Sequence, residues 1–77
     1  MRYSVVTTSQ GNRHWAKGGK PELTLEQATK VAKAEHSYYQ SRDIAAHIEV
    51  IAIKSNGQHG DTVAEYWAIP MQFFADK

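Results

Sequence analysis

The chain has 77 residues, of which 42% are hydrophobic, and a formal net charge of +1. A chain this short buries only about 60% of its unfolded surface, so residues 1–77 are expected to form one domain. It contains no cysteine, which excludes disulfides and thiolate zinc sites, and no apolar run approaches the roughly 18 residues of a membrane span. The N-terminus has no apolar segment typical of a secretory signal, and we therefore expect a cytoplasmic protein.

The charge is unevenly divided along the chain. Residues 1–21 contain four of the nine Lys and Arg residues and no acid, whereas the rest holds five bases and all eight acids. Clustered positive charge attracts phosphate or carboxylate-rich surfaces. The asymmetry therefore indicates a charged partner for the N-terminal part.

Residues 3–8 alternate in polarity and are rich in strand formers, which predicts a first strand with Tyr3, Val5 and Thr7 on one face. Residues 9–20 contain the turn signals Gly11-Asn12 and Gly18-Gly19. This segment forms either the short second arm of a hairpin or an exposed loop.

A helix is predicted over residues 24–40. The Thr24 hydroxyl can accept the amide of Gln27, whose side chain can bond back to the cap. At 100° per residue one apolar stripe forms, which consists of Leu25, Ala28, Val31, Ala32 and Tyr39.

Two further strands are predicted over residues 46–54 and 62–69, joined by a hairpin loop that contains Asn56-Gly57. The fold class is therefore α+β, a two-layer β-α-β-β domain whose three-stranded, mainly antiparallel sheet carries one helix on one face. A right-handed crossover would make the first strand parallel to a neighbour. Residues 71–75 form an apolar tail after Pro70, and a short helix, a fourth edge strand or a partner-binding segment all suit it.

A basic aromatic loop is the best candidate site. Arg and Lys can neutralise phosphates, and a tryptophan can stack on a base or anchor a protein interface. The alternative without a binding role, a solvated loop with the indole folded onto the core, is about equally favoured. The partner-binding residues of the loop are Arg13, His14, Trp15, Lys17 and Lys20, and Lys30 and Lys33 of the helix can extend the positive patch.

No catalytic group, metal site or cofactor is predicted. The four histidines lie in four different elements and form no ligand pair of known spacing. Glu35 falls inside the apolar stripe of the helix, where an unpaired carboxylate would be costly. We expect it to lie beside Arg42 or to reach a hydroxyl.

The helix opening Leu-Thr-Leu-Glu-Gln-Ala-Thr-Lys-Val-Ala-Lys and the closing hairpin resemble the small β-α-β-β proteins of phages and mobile elements, and a type I anti-CRISPR family in particular. The resemblance covers residues 3–69. It implies a non-enzymatic inhibitor in the host bacterial cytoplasm that docks on the surveillance complex and blocks access of nucleic acid. No site residue of that family can be matched to a position of this chain.

Three functions follow from these observations. The leading one is a non-enzymatic inhibitor of a host protein or ribonucleoprotein complex that handles nucleic acid. The alternative is a small nucleic-acid-binding domain that uses the basic loop, and an enzyme or ligand-binding domain built on Glu35 and a histidine ranks last. Because the sheet face away from the helix would carry exposed apolar groups, we also expect a weak homodimer, with the tail covering part of that face.

Overall fold

The computed structural model describes residues 1–70 and contains one helix and four strands. The strands are β1 (Arg2–Ser9), β2 (Asn12–Trp15), β3 (Ala46–Ile53) and β4 (His59–Ala68), and the helix is α1 (Leu25–Ser41). The sheet has the order β2-β1-β3-β4, and every neighbouring pair is antiparallel. The predicted α+β class is confirmed, but the prediction of three strands is wrong.

The additional strand is β2, which pairs with β1 through a two-residue turn. Ser9 lies opposite Asn12, and the turn residues Gln10 and Gly11 have φ angles of 53° and 83°. Positive φ at both central residues is characteristic of a type I′ turn, whose twist matches that of the two strands in a two-residue hairpin. Of the two alternatives for residues 9–20, the hairpin arm is therefore correct for Asn12–Trp15.

The expected parallel pairing of β1 is also wrong. After β2 the chain continues along β1 in the direction opposite to it. The Ala16 N–H donates to the Val5 carbonyl, and the Val5 N–H donates to the Gly19 carbonyl. Leu23 and Tyr3 each donate an N–H to the carbonyl of the other. The helix consequently begins near the start of β1, and β3 returns antiparallel to it. The crossover joins β2 to β3, which are parallel to each other but separated by β1.

The helix packs on one face of the sheet, which we call the inner face. The capping box between Thr24 and Gln27 forms as predicted, with distances of 3.1 and 2.9 Å. Small residues on the helix bring it close to the branched side chains of the strands. The buried core consists of Val5, Ala16, Ala28, Ala32, Ala46, Ile48, Val50 and Ala68.

Leu25 is the exception among the residues predicted to form the apolar stripe. It is 48% exposed, and Leu23 packs against the core in its place. The bridge between Leu23 and Tyr3 ties the segment before the helix to the sheet.

The opposite sheet face, which we call the outer face, has no helix over it within residues 1–70. It was expected to expose the apolar groups of β3, yet Ile51 and Ile53 are only 2% and 5% exposed. Val6 on β1 is likewise 3% exposed. The prediction that the apolar residues of β3 are left bare on this face is therefore wrong for Ile51 and Ile53.

The free edge of β4 is covered by side chains of the helix. The Gln40 amide donates to the Ile69 carbonyl at 2.8 Å and accepts its N–H at 3.1 Å, and His36 Nε2 lies 3.0 Å from the Trp67 carbonyl. An unpaired strand edge invites pairing with another chain. The last residues of this edge are therefore already bonded.

No helix within residues 1–70 is long and apolar enough to cross a membrane. The predicted apolar tail, residues 71–75, lies outside the described residues.

Candidate functional site

The structure distributes the seven predicted partner-binding residues over three places. Because side chains alternate along a strand, Arg13 and Trp15 of β2 project onto the outer face, and His14 projects toward the helix. His14, Trp15 and Lys17 also line a cleft beside the helix. The remaining three, Lys20, Lys30 and Lys33, are exposed and line neither that cleft nor the outer face.

Trp15 and His59 form a roof over the middle of the outer face. Their ring centroids are 5.2 Å apart, although the two residues belong to the opposite edge strands. Trp15 lies opposite Val6, and His59 lies opposite Ile53, which is four residues further along the β1–β3 register, in the row of Arg2. The two rings therefore meet above the row that contains Ser4.

The residues beneath the roof are fully enclosed. Ser4 and Ile51 are partners in the β1–β3 register and are 0% and 2% exposed. The Ser4 hydroxyl has no hydrogen-bond partner within residues 1–70. Trp15 itself remains 41% exposed, so its indole both covers the core and presents a surface to solvent.

A polar cluster built on Glu49 occupies the next row of the outer face. Arg13 donates to its Oε1 at 2.7 Å and Thr62 donates to its Oε2 at 3.0 Å. Burial raises the pKa of the Glu49 carboxyl, but these two bonds and the charges of Arg13 and His47 outweigh burial and hold the pKa below its usual value. Glu49 is therefore an ionised and fully paired carboxylate.

His47 and Trp67 form the far end of the outer face. Their rings are stacked, with centroids 3.8 Å apart and an interplanar angle of 7°. The Nε2 atom of His47 lies 2.7 Å from Oε1 of Glu65. Trp67 is 59% exposed, and its indole is thus held in one orientation while most of it faces solvent.

His47, Glu49 and Glu65 bring one potential metal-ligand atom each within 4.8 Å of one another. A histidine and two carboxylates suit a divalent transition metal. The Arg13 guanidinium, however, bonds the same Glu49 oxygen that lies nearest to His47, and its charge opposes a second cation there. The cluster is best described as an ion-pair network.

The cleft beside the helix, which we call the β2 cleft, has a volume of about 460 Å³. It is lined by His14, Trp15, Lys17, Glu35, Tyr38 and Tyr39. At its inner side the Thr7 hydroxyl donates to Oε1 of Glu35 at 3.0 Å, which confirms the expectation that this carboxylate reaches a hydroxyl. Arg42, the other expected partner, lies over the Tyr38 ring instead.

Tyr39 and Glu35 are electrostatically coupled within this cleft. Burial, followed by the nearby Glu35 carboxylate and Tyr38, raises the pKa of the Tyr39 phenol. The phenol therefore stays neutral well into the alkaline range. No histidine hydrogen-bonds to Glu35 within the described residues, although His14 lines the same cleft.

Gly18 and Gly19 serve the fold. Predicted as a turn signal, they bring the backbone close to the chain's own first strand. A Cβ atom on Gly19 would lie 2.7 Å from the Val5 carbonyl oxygen and 2.9 Å from its Cβ. Gly18 adopts a φ of 79°.

Sequence reasoning missed His47, Glu49 and Glu65 as surface residues of interest. His47 and Glu49 alternate on one face of a predicted strand, which was a usable signal. Their partners on β4 could not be assigned, because two register shifts separate Val50 from Ile53 in the β3–β4 pairing.

Comparison with known proteins reveals no family whose model matches the chain, and no curated protein or solved structure with significant similarity to it.

Proposed function

We propose that this protein is a non-catalytic binding protein that docks on a partner protein through its outer face and acts as an inhibitor. The observation that carries the proposal is the pair Trp15 and Trp67, which expose 41% and 59% of their surface on the same sheet face. Tryptophan and arginine are enriched among the few residues that supply most of the binding energy in protein interfaces.

Both indoles are held in place before any partner arrives. His59 packs against Trp15, and His47 stacks on Trp67. Immobilising a free side chain at an interface costs about 0.5–1.5 kcal/mol. The ring contacts reduce that cost, which supports a role for both residues as interface anchors.

The polar groups between the two indoles also suit a protein partner. Arg13 and Glu49 neutralise each other, and Glu65 is an exposed acid that faces His47. The pair of Arg13 and Glu49 carries no net charge, and arginine is enriched in protein interfaces. The acids oppose a phosphate backbone on this face, so the nucleic-acid alternative depends on Lys17 and Lys20.

The resemblance to a type I anti-CRISPR family makes a type I CRISPR surveillance complex the first partner to test. In this proposal the protein occupies a surface of that complex and blocks access of nucleic acid, and it needs neither a cofactor nor a metal ion.

Biolayer interferometry with the purified surveillance complex tests the proposal. We expect Trp67→Ala to weaken binding by more than about 30-fold, the effect of losing a hot spot of 2 kcal/mol. Leu25→Ala is the matched control, because Leu25 is 48% exposed at the start of the helix, on the other side of the sheet. Unchanged binding by Trp67→Ala would contradict the proposed surface.

A second measurement separates the nucleic-acid alternative. If a labelled single-stranded oligonucleotide binds and log K falls linearly with log salt, the protein binds phosphates directly. Lys17→Glu and Lys20→Glu should then abolish binding, while Trp67→Ala leaves the salt slope unchanged. The absence of any oligonucleotide binding at low salt would remove this alternative.

A further inference from the structure

We propose that the β2 cleft binds the guanidinium group of an arginine side chain on the partner protein. The inference rests on the proposed function, because it names the chemistry of one contact that the partner would make. It concerns a surface on the helix side of β2, distinct from the two indoles of the outer face.

The walls of the cleft are aromatic. Tyr38 and Tyr39 line it together, and their rings meet edge to face, with centroids 5.2 Å apart at 86°. Aromatic rings attract cations over their faces, and guanidinium does so more often than ammonium because it is planar and weakly hydrated.

A carboxylate lies at the inner side of the cleft. Glu35 is half-buried and is oriented by the Thr7 hydroxyl, whose residue is 0% exposed. Glu35 forms no ion pair within residues 1–70. A carboxylate has about four acceptor sites, so one bond from Thr7 leaves room for a guanidinium fork.

One lining residue, Tyr38, already contacts a guanidinium of the chain itself. The central carbon of the Arg42 guanidinium lies 4.5 Å from the Tyr38 ring centroid. The same ring therefore already takes part in one contact of the proposed kind.

An anion is the competing occupant, since His14 and Lys17 also line the cleft. Lys17 is exposed to solvent, whereas Glu35 is half-buried. A phosphate entering the cleft would approach the carboxylate at short range, where the repulsion is least screened. The carboxylate and the rings together favour a planar cation.

Heteronuclear NMR with N-acetyl-arginine amide as the probe tests the inference on the folded protein. We expect millimolar affinity, with amide shifts concentrated at Trp15, Glu35 and Tyr39. N-acetyl-citrulline amide has the same shape without the charge, and it should produce at least tenfold weaker binding. Glu35→Gln and Tyr38→Leu should each remove the shifts, and Glu65→Gln, an acid of the outer face, should retain them.

Three results would overturn the inference. These are equal binding of the citrulline probe, arginine shifts that persist in Glu35→Gln, and tighter binding of inorganic phosphate at the same residues. A thermal melt of Glu35→Gln shows whether the variant is folded; if it is not, Tyr38→Leu provides the test.

The outcome is separable from that of the proposed function. Trp67→Ala should lose the partner and still bind the arginine probe. If Glu35→Gln loses the probe but binds the partner as tightly as the natural chain, the partner does not use the cleft, and this inference fails while the proposed function stands.

Discussion

The indole of Trp15 and the imidazole of His59 lie with their ring centroids 5.2 Å apart, although their strands are the two opposite edges of the sheet. Three strand spacings of about 4.8 Å separate such edges in a flat sheet. The contact therefore requires both side chains to reach inward over β1 and β3. Within residues 1–70 no helix covers this face, and we attribute the burial of Ser4 and Ile51 to these two side chains.

Trp15→Ala should destabilise the protein by removing this roof. A fully buried tryptophan costs about 3–5 kcal/mol when truncated to alanine, and Trp15 is 41% exposed, so we expect about 2 kcal/mol. Urea unfolding followed by far-ultraviolet circular dichroism measures the change. Trp67→Ala serves as the comparison, because Trp67 is more exposed and should cost less than about 1 kcal/mol. Equal effects of the two substitutions would contradict the assignment of a roof to Trp15.

Gly19→Ala should destabilise the fold without changing a side chain of the outer face or of the β2 cleft. The added methyl would lie closer to Val5 than real Cβ atoms do, and the bond from the Val5 N–H to the Gly19 carbonyl, 2.9 Å long, prevents the segment from moving away. Overpacking of this kind costs about 1–3 kcal/mol. The midpoint of urea unfolding is the readout.

Gly57→Asn is the control for that substitution. Gly57 has a φ of 86° with open space around it, and asparagine tolerates this conformation. Its stability should stay close to that of the natural chain. If Gly19→Ala is equally well tolerated, the close approach to β1 does not constrain the fold.

The network of Arg13 and Glu49 should make stability depend on pH in the acidic range. Because the folded state holds the pKa of Glu49 below the ordinary value of 4.5, the unfolded chain takes up its proton first as the pH falls. The stabilisation is present above pH 4.5 and is lost as the pH decreases through the lower folded-state pKa. Urea unfolding at a series of pH values measures the slope.

Arg13→Gln should flatten that slope, because it removes both the ion pair and the charge that lower the pKa. Arg13→Glu should unfold the protein more readily at neutral pH, since it places a second carboxylate beside Glu49. Charge reversal at Arg13 is therefore unsuitable for mapping a partner, and Lys17 and Lys20 are better choices. If the free energy of unfolding depends on pH in the acidic range as steeply in Arg13→Gln as in the natural chain, this account is contradicted.

Gln40→Ala should increase self-association by freeing the edge of β4. The Gln40 side chain makes two hydrogen bonds to the backbone of Ile69, and their loss would leave a donor and an acceptor available to a second copy. Sedimentation velocity over a concentration series measures the change. The natural chain is expected to form at most the weak dimer predicted from its sequence, and Lys33→Ala, an exposed change elsewhere on the helix, should behave like it.

Local signals in the sequence determined most of the secondary structure. The capping box of Thr24 and Gln27 marked the start of the helix, and alternation in residues 3–8 assigned Tyr3, Val5 and Thr7 to one face, as the structure confirms. These features depend on neighbours within a few positions, where propensity and periodicity act directly. The presence of a basic aromatic segment was equally visible, since it is a matter of composition.

Tertiary structure alone decided how the faces are used. Residues 13–15 belong to a short edge strand, and strand alternation sends Arg13 and Trp15 to one side of the sheet and His14 to the other. No local pattern reveals that Trp15 meets His59, or that Glu49 is paired with Arg13, because these contacts join positions more than thirty residues apart. They depend on the order of four strands and on the register shifts of β4, which only the packed sheet defines.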